Sequence, residues 1–419
     1  MRTNFTSAQL ADPHLAAAEE NLRSCVHCGI CTATCPTYVL LGDERDGPRG
    51  RIVMMQQMLE ENAAPSPETL LHVDRCLSCL ACRTACPSSV DYARLVDTAR
   101  AHIETRYQRP LADRLLRWLI AVVLPRPALV RLGLVFATFG RWLPGRLGAM
   151  ARTGSKRHRA IAPASAPPVA ANARRIALMP GCVQKALAPE IDEAVARVLA
   201  RRGYELVPLA GAGCCGSLVH HLGRDGQAKA WAKRAIEAFE REGPFDGVLI
   251  TATGCSAHLK DLAHLFAGDP AWAQRSAGFA AKARDFLDLA TPLPGTPRRV
   301  RVAWQAPCSL QNGLKLADAG KALLASAGFE VLDIPEGHLC CGSAGSYSIL
   351  EHDIAGQLRA RKLSAISSVR PDVIATANIG CLHHLSGPDA PPVVHLAELV
   401  DWAEGGATPP VLAGREPAR

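Results

Sequence analysis

Residues 25–36 read CVHCGICTATCP and residues 76–87 read CLSCLACRTACP. Both follow the pattern C-x2-C-x2-C-x3-C-P. Three thiolates at this spacing wrap one polynuclear group from a single tight loop, while the fourth, turned away ahead of its proline, reaches a second group. This is the arrangement of paired cubane [4Fe–4S] sites. It predicts one cluster on Cys25, Cys28, Cys31 and Cys86, and another on Cys76, Cys79, Cys82 and Cys35. Paired CxxC motifs also hold zinc, but zinc takes four ligands per site and has no use for a third close cysteine followed by Cys-Pro.

The other eight cysteines form a second pattern. Cys182, Cys214, Cys215 and Cys255 recur as Cys308, Cys340, Cys341 and Cys381, each shifted by 126 residues. Four identical offsets mark an internal duplication. Each copy supplies four thiols, which suits a metal or iron–sulfur centre. Structural thiols, and redox chemistry at the adjacent Cys-Cys pair, remain open alternatives. His258 and His384 each stand three residues after the last cysteine of a copy. They read more readily as surface or supporting histidines than as ligands.

These cysteines need elements to position them. In the first copy RIALM (175–179), YELVPL (204–209) and GVLITA (247–252) have the continuous apolar character of buried parallel strands. VRVAWQ (300–305), FEVLDI (329–334) and DVIATA (372–377) match them in the second. Helical stretches such as 189–201 and 225–242 lie between, so each copy predicts a βαβαβ unit. Every repeated cysteine then falls just beyond the carboxyl end of a strand, where open α/β sheets build their sites. The glycines of GAGCCG (211–216) and HLCCGSAG (338–345) permit tight turns there. Around the ferredoxin-type motifs the elements are helical: Met1–Leu22 reads as an acidic, alanine-rich helix, and 49–62 as another. Arg49 and Arg51, in the DGPRGR loop, either soften a cluster's negative charge or lie in solvent.

The fold class is therefore α+β and multidomain. A helix-rich ferredoxin-like domain (1–107) is followed by a basic amphipathic helical segment (108–150), an Ala/Pro-rich linker (151–173) and two cysteine-rich α/β repeats (174–292 and 299–405). In the segment from Leu111 to Met150, Arg114, Arg117, Arg126, Arg131 and Arg141 interrupt the apolar runs and Pro125 and Pro127 split it into two helices. It is too broken to span a bilayer. It suits either the membrane interface or packing against a partner or the ferredoxin domain.

Composition narrows the function. The 419-residue chain is 48% hydrophobic and 21% charged, enough to build real cores. With 5% aromatic residues it offers no stacking platform for nucleic acid, and its net charge of +8 is modest for the length. The first twenty-odd residues carry no apolar signal core, and sixteen cysteines without export point to a reducing, cytoplasmic compartment. No G-x-G-x-x-G turn opens a βαβ unit, so flavin or nicotinamide chemistry belongs on another chain.

With these motifs placed, the sequence resembles the iron–sulfur subunits of bacterial glycolate oxidase, also called glycolate dehydrogenase. The resemblance is carried by CVHCGICTATCPTYVLLGDERDGPRGRI (25–52), DRCLSCLACRTACPSSVDY (74–92), HLCCGSAGSY (338–347) and TANIGCLHHL (376–385). It implies two [4Fe–4S] clusters, FAD-bearing partner subunits that oxidise glycolate to glyoxylate, and a quinone-linked acceptor. It also implies a place on the cytoplasmic face of the inner membrane. The equivalent subunit of a lactate dehydrogenase is an alternative, and anaerobic glycerol-3-phosphate dehydrogenase and heterodisulfide reductase subunits share the layout. The last of these carries C-x-x-C where this chain has Cys255-Ser-Ala-His258 and Cys381-Leu-His-His384.

Overall fold

The computed structural model describes residues 1–140, 172–293 and 299–413. The expected linker therefore lies outside the described residues except for its last two positions, as do the last ten residues of the amphipathic segment.

The N-terminal region is helical, with no strand before Arg174 among the described residues. The single helix expected over Met1–Leu22 is instead two. α1 (Ser7–Leu10) is closed by a capping box between Thr6 and Gln9, and α2 (Pro13–Ser24) starts afresh with Pro13 in its first turn and Asp12 accepting from the His14 and Leu15 amides. Proline has no amide hydrogen to continue a helix but suits its first turn. α3 (Pro36–Leu41), α4 (Pro48–Glu60), α5 (Pro67–Asp74) and α6 (Ala81–Ala85) surround the cysteine loops, and α7 (Tyr92–Arg106) closes the unit. Ala18 and Leu22 of α2, Met55 and Leu59 of α4, and Leu95 and Ala99 of α7 form its dry centre. Each pair is spaced by four residues, so each helix turns one stripe inward.

α8 (Leu111–Val123) and α9 (Pro127–Gly140) follow, separated at the two prolines. No single described helix is long and apolar enough to cross a membrane; α8 and α9 pass only jointly, and they meet at 119°. The inner side of α8 is held down by Arg117, which reaches Asp113 and Asp74, and by Ile120 and Ala121. Leu116 and Leu124 pack against the first repeat. The outer side is apolar and exposed: of thirteen large apolar side chains exposed among the described residues, seven lie on α8 and α9.

Each repeat is a parallel sheet of four strands, not three. β1 (Arg174–Leu178), β2 (Tyr204–Pro208), β3 (Gly247–Leu249) and β4 (Ala283–Arg284) assemble in the order β2-β1-β3-β4. β5 (Arg301–Trp304), β6 (Glu330–Leu332), β7 (Val373–Thr376) and β8 (Val393–His395) repeat it as β6-β5-β7-β8. The added strands are two and three residues long, too short to show a hydrophobic pattern. The repeats share one core. In helix Glu190–Ala200, Ile191, Ala194, Val195, Val198 and Leu199 are buried, a 3.6-residue stripe, and they join Val302, Val373 and Val394 of the second repeat. Arg197 and Arg201 reach the buried Asp401 at 2.8 and 2.7 Å, and Arg202 reaches Glu404 at 2.6 Å, locking the pair.

The first repeat meets the ferredoxin domain along α7. His220 stands between Asp97 of α7, at 3.4 Å, and Asp225, at 2.8 Å, with His221 and His258 beside it. Burial alone would lower the His220 imidazole from its ordinary 6.5, but the two carboxylates outweigh burial and raise it to about 10. A raised pKa stabilises the fold fully below the unfolded value and ceases to do so as pH climbs through the folded one. The His220 contribution should thus be complete below about pH 6.5 and fade towards pH 10. Urea midpoints measured over that window should decline in the native chain, and His220→Gln should flatten that part of the decline. An equal decline in the variant would assign it to other groups.

Candidate iron–sulfur centres

The two ferredoxin-type loops have one backbone plan. His27 and Ser78 are left-handed, with φ of 56° and 51°, and so are Gly29 and Leu80, at 80° and 58°. These are the same two positions of each motif. Left-handed residues alternating with ordinary ones turn successive amides into a concave nest suited to anionic sulfur. At Gly29 a side chain is excluded twice over, by φ and by Arg49, whose Nη1 would lie 2.7 Å from a Cβ. Around the second loop, Ser78 N–H points at Cys76 Sγ (3.4 Å) and Val90 N–H at Cys86 Sγ (3.5 Å).

The first set gathers around a cleft of about 440 Å³, open to solvent and lined by Cys25, Cys28, Cys31 and Cys86 together with Cys82 and Arg49. Burial, then Cys25, Cys86 and Cys28, push the Cys31 thiol up to about 11. The second set is deeper. Burial and the neighbouring Cys79, Cys76 and Cys35 hold Cys82 well above an ordinary thiol. Such crowded thiols resist ionising together unless a strongly cationic group binds them, which is what iron supplies to a thiolate cage. The donor sets therefore fit the clusters. Among the described residues no three His, Cys, Asp or Glu side chains converge as a single metal ion requires.

Arg51 is the residue that sequence reasoning undervalued. It lies in α4, not in a solvated loop, and is 1% exposed. Its guanidinium donates to His72 O (2.6 Å) and Thr37 Oγ1 (3.0 Å), pairs with Asp46 at 3.4 Å and comes within 3.8 Å of Cys35 Sγ. Burial works against its charge, but Cys76, Tyr92, Cys35 and Asp46 more than restore it. Asp46 also holds His72 and Arg75, each at 2.9 Å. Arg49, 36% exposed, is held by Glu44 at 2.7 Å. Each cysteine set thus has its own cation.

In the repeats the structure brings Cys182 and Cys214 to 3.5 Å and Cys308 and Cys340 to 3.8 Å between sulfurs. Cys215 lies next to Cys214 and Cys255, and Cys341 next to Cys340 and Cys381. Hydrogen bonds from Cys182, Cys215 and the Gly216 amide favour the thiolate at Cys214 despite its burial. The glycine after each Cys-Cys pair is left-handed, Gly216 at 88° and Gly342 at 93°, and a Cβ would meet the carbonyl oxygens of Ala228 and Ala355 at 3.1 and 2.7 Å. That glycine lets the thiol turn lie directly on a helix. His258 and His384 are half-buried rather than on the surface: His384 Nε2 lies 3.2 Å from Ala355 O, and the His258 ring faces His220.

Comparison with known proteins agrees with this geometry. The 4Fe-4S dicluster domain family matches residues 24–90, and the cysteine-rich domain family matches residues 176–260 and 302–386. The chain is 39% identical to the glycolate oxidase iron-sulfur subunit of Escherichia coli K12, over 96% of this chain and 99% of that protein. It is 30% identical to the probable glycolate oxidase iron-sulfur subunit of Bacillus subtilis 168, over 93% and 96%. Lactate utilization protein A of Bacillus licheniformis is 26% identical, over 54% of this chain and 99% of that protein. With its dicluster motifs, its duplicated cysteine-rich sheets and this end-to-end likeness, the chain is an iron–sulfur electron-transfer protein and belongs to the glycolate oxidase iron-sulfur subunit family.

Proposed function

We propose that this chain takes electrons singly from a flavin-bearing subunit that oxidises glycolate to glyoxylate and passes them towards a quinone-linked acceptor. Cys25, Cys28, Cys31 and Cys86 hold one [4Fe–4S] cluster, and Cys76, Cys79, Cys82 and Cys35 the other. When bound, the clusters supply one-electron redox chemistry that no side chain offers. Cys182, Cys214, Cys215 and Cys255 form a further iron–sulfur site, as do Cys308, Cys340, Cys341 and Cys381. The observation that carries the reading is the interleaving of the ferredoxin thiols: Cys31 of the first motif has Cys86 of the second beside Cys25 and Cys28, and Cys82 of the second has Cys35 and Cys31 of the first beside Cys79 and Cys76. Each group thus draws its fourth thiol from the opposite motif.

The chain's own residues suit the task. Cys28 is exposed and flanked by Val26 and Ile30, 69% and 53% exposed, so the first site presents an apolar face to a donor. Glycolate is favoured over lactate because the lactate utilization relative covers only about half of this chain. Mixed anaerobically with the flavin subunits, the holoprotein should lose visible cluster absorbance on addition of glycolate, and Val26→Asp should slow this at least several-fold. Bleaching by glycolate without flavin subunits would defeat the reading.

The reading also places the chain peripherally on the cytoplasmic face of the inner membrane. Leu111, Leu115, Trp118 and Leu119 of α8 and Leu132, Val135 and Phe136 of α9 are exposed apolar side chains, with Arg114 and Arg131 on the same helices and Arg126 between them. Such helices settle into a headgroup region and are drawn to anionic lipid. The chain should float with phosphatidylglycerol-containing liposomes. Leu115→Asp with Trp118→Asp should abolish flotation, and unchanged flotation would move the lipid contact elsewhere.

A further inference from the structure

The two cysteine repeats are duplicates in sequence, yet they meet the ferredoxin domain differently. A π-helical turn, Ser309–Leu314, follows Cys308 directly. Such turns widen the helix and re-aim side chains, often at functional sites. Within it Asn312, 8% exposed, donates through Nδ2 to Cys79 O at 2.9 Å and accepts through Oδ1 from Thr84 Oγ1 at 2.9 Å. One amide thus bridges the loop and the helix of the second ferredoxin motif. Tyr347 OH adds a bond to Arg75 O, just ahead of Cys76, at 3.1 Å. Leu77, Cys340 and Tyr347 share a buried apolar cluster with Cys79 and Cys308 packed on it. The thiols themselves are neighbours: Cys308 acts on Cys79, and Cys79 acts on Cys340.

The first repeat has no counterpart. The position equivalent to Asn312 is Ala186, and that equivalent to Tyr347 is His221. Its contacts run instead along α7, through His220 to Asp97, Arg224 to Glu104 and Asp261 to Arg94. The neighbours of Cys182 are Cys214 and Cys255. His221 and Leu222 of the first repeat share the lining of a small cleft with Cys76, Leu77 and Ser78, without bringing a cysteine of that repeat to it. The first repeat meets the second where Thr253 Oγ1, on the helix that bears Cys255, lies 2.9 Å from Ser309 Oγ, beside Cys308.

We infer that the second repeat, and not the first, is the internal redox neighbour of the site formed by Cys35, Cys76, Cys79 and Cys82, with Asn312 the positioning residue that fixes their contact. With both groups bound, Cys35, Cys76, Cys79 and Cys82 would hold the one-electron donor and Cys308, Cys340, Cys341 and Cys381 its acceptor, a transfer that would break no bond and require no proton. This rests on the ligand assignment proposed above.

The test is an EPR-monitored redox titration of the anaerobically purified holoprotein, following the signal of the cluster at Cys79. Cys308→Ser removes an anionic neighbour and should shift that signal's midpoint upward, whereas Cys182→Ser, the same change 126 residues earlier, should leave it in place. Asn312→Leu replaces no cysteine. It should shift the midpoint downward, because the carbonyl of Cys79 loses its donor, and should abolish the faster spin relaxation that the signal gains when the second-repeat centre is reduced. Thr84→Val, which only frees Asn312, should give the same changes more weakly. Equal shifts from Cys308→Ser and Cys182→Ser, or native midpoint and relaxation in Asn312→Leu, would overturn the inference. If Cys308→Ser does not fold, Asn312→Leu decides alone. A native protein without two coupled cubane signals would defeat the ligand assignment instead.

Discussion

Cys79→Ser is expected to abolish quinone- or dye-linked turnover of the assembled complex, a loss of at least about a hundredfold, while glycolate still reduces the flavin. The residue sits at the centre of the second set. Its left-handed neighbours Ser78 and Leu80 aim it inward, and its carbonyl is held by Asn312. A serine hydroxyl has neither the polarisability nor the acidity of the thiol that iron prefers. Bound iron should fall by about four atoms per chain, with one of the two cubane signals lost. The check is turnover with a quinone acceptor, measured beside flavin reduction in stopped flow. Turnover at the native rate would show that electrons bypass the second site.

Arg51→Met should have the largest effect on stability. It would leave Asp46 buried with one cation fewer and Thr37 and the His72 carbonyl without a donor. Breaking a buried, hydrogen-bonded ion pair from one side costs about 3–5 kcal/mol. A second consequence separates a tuning role from scaffolding. Removing a guanidinium 3.8 Å from Cys35 Sγ should make the second cluster harder to reduce, seen as a lower midpoint in the EPR titration. Arg51→Lys keeps the charge but not the fork that serves Thr37, His72 and Asp46 together, so it should recover the potential more fully than the melting temperature. A midpoint unmoved in Arg51→Met would reduce Arg51 to a structural role.

What was legible in the sequence follows from how local each constraint is. The cysteine motifs are short and covalently tethered, so their spacing alone carries the ligand pattern. The 126-residue offset reads out the duplication, and each inner strand shows because it is buried on both faces, as in Val248 and Leu249 or Val373 and Ile374, all fully buried. β4 and β8 were missed because two or three residues cannot display periodicity. The fate of Arg51 was open because its partners lie up to 21 residues away, and nothing in RGRIVMM tells a buried guanidinium from a solvated one. Asn312 was invisible for a stronger reason: Thr84 and Cys79 are 228 and 233 positions distant, and one amide in a polar turn has no signature. The amphipathic segment was read correctly as two helices split at Pro125 and Pro127. Its two faces answer different halves of the expectation, the inner side bound to the ferredoxin domain and first repeat and the outer side apolar and exposed.

The central claim, that two interleaved thiol sets each hold a cubane, is tested most directly by low-temperature EPR of the anaerobically purified chain with iron and sulfide analysis alongside. The account predicts two magnetically coupled reduced-cluster signals from at least about eight irons and eight sulfides per chain, with any excess iron lost when Cys214 or Cys340 is replaced. A protein that binds zinc and no sulfide, or one whose cubane signals survive the loss of both Cys35 and Cys86, would contradict it.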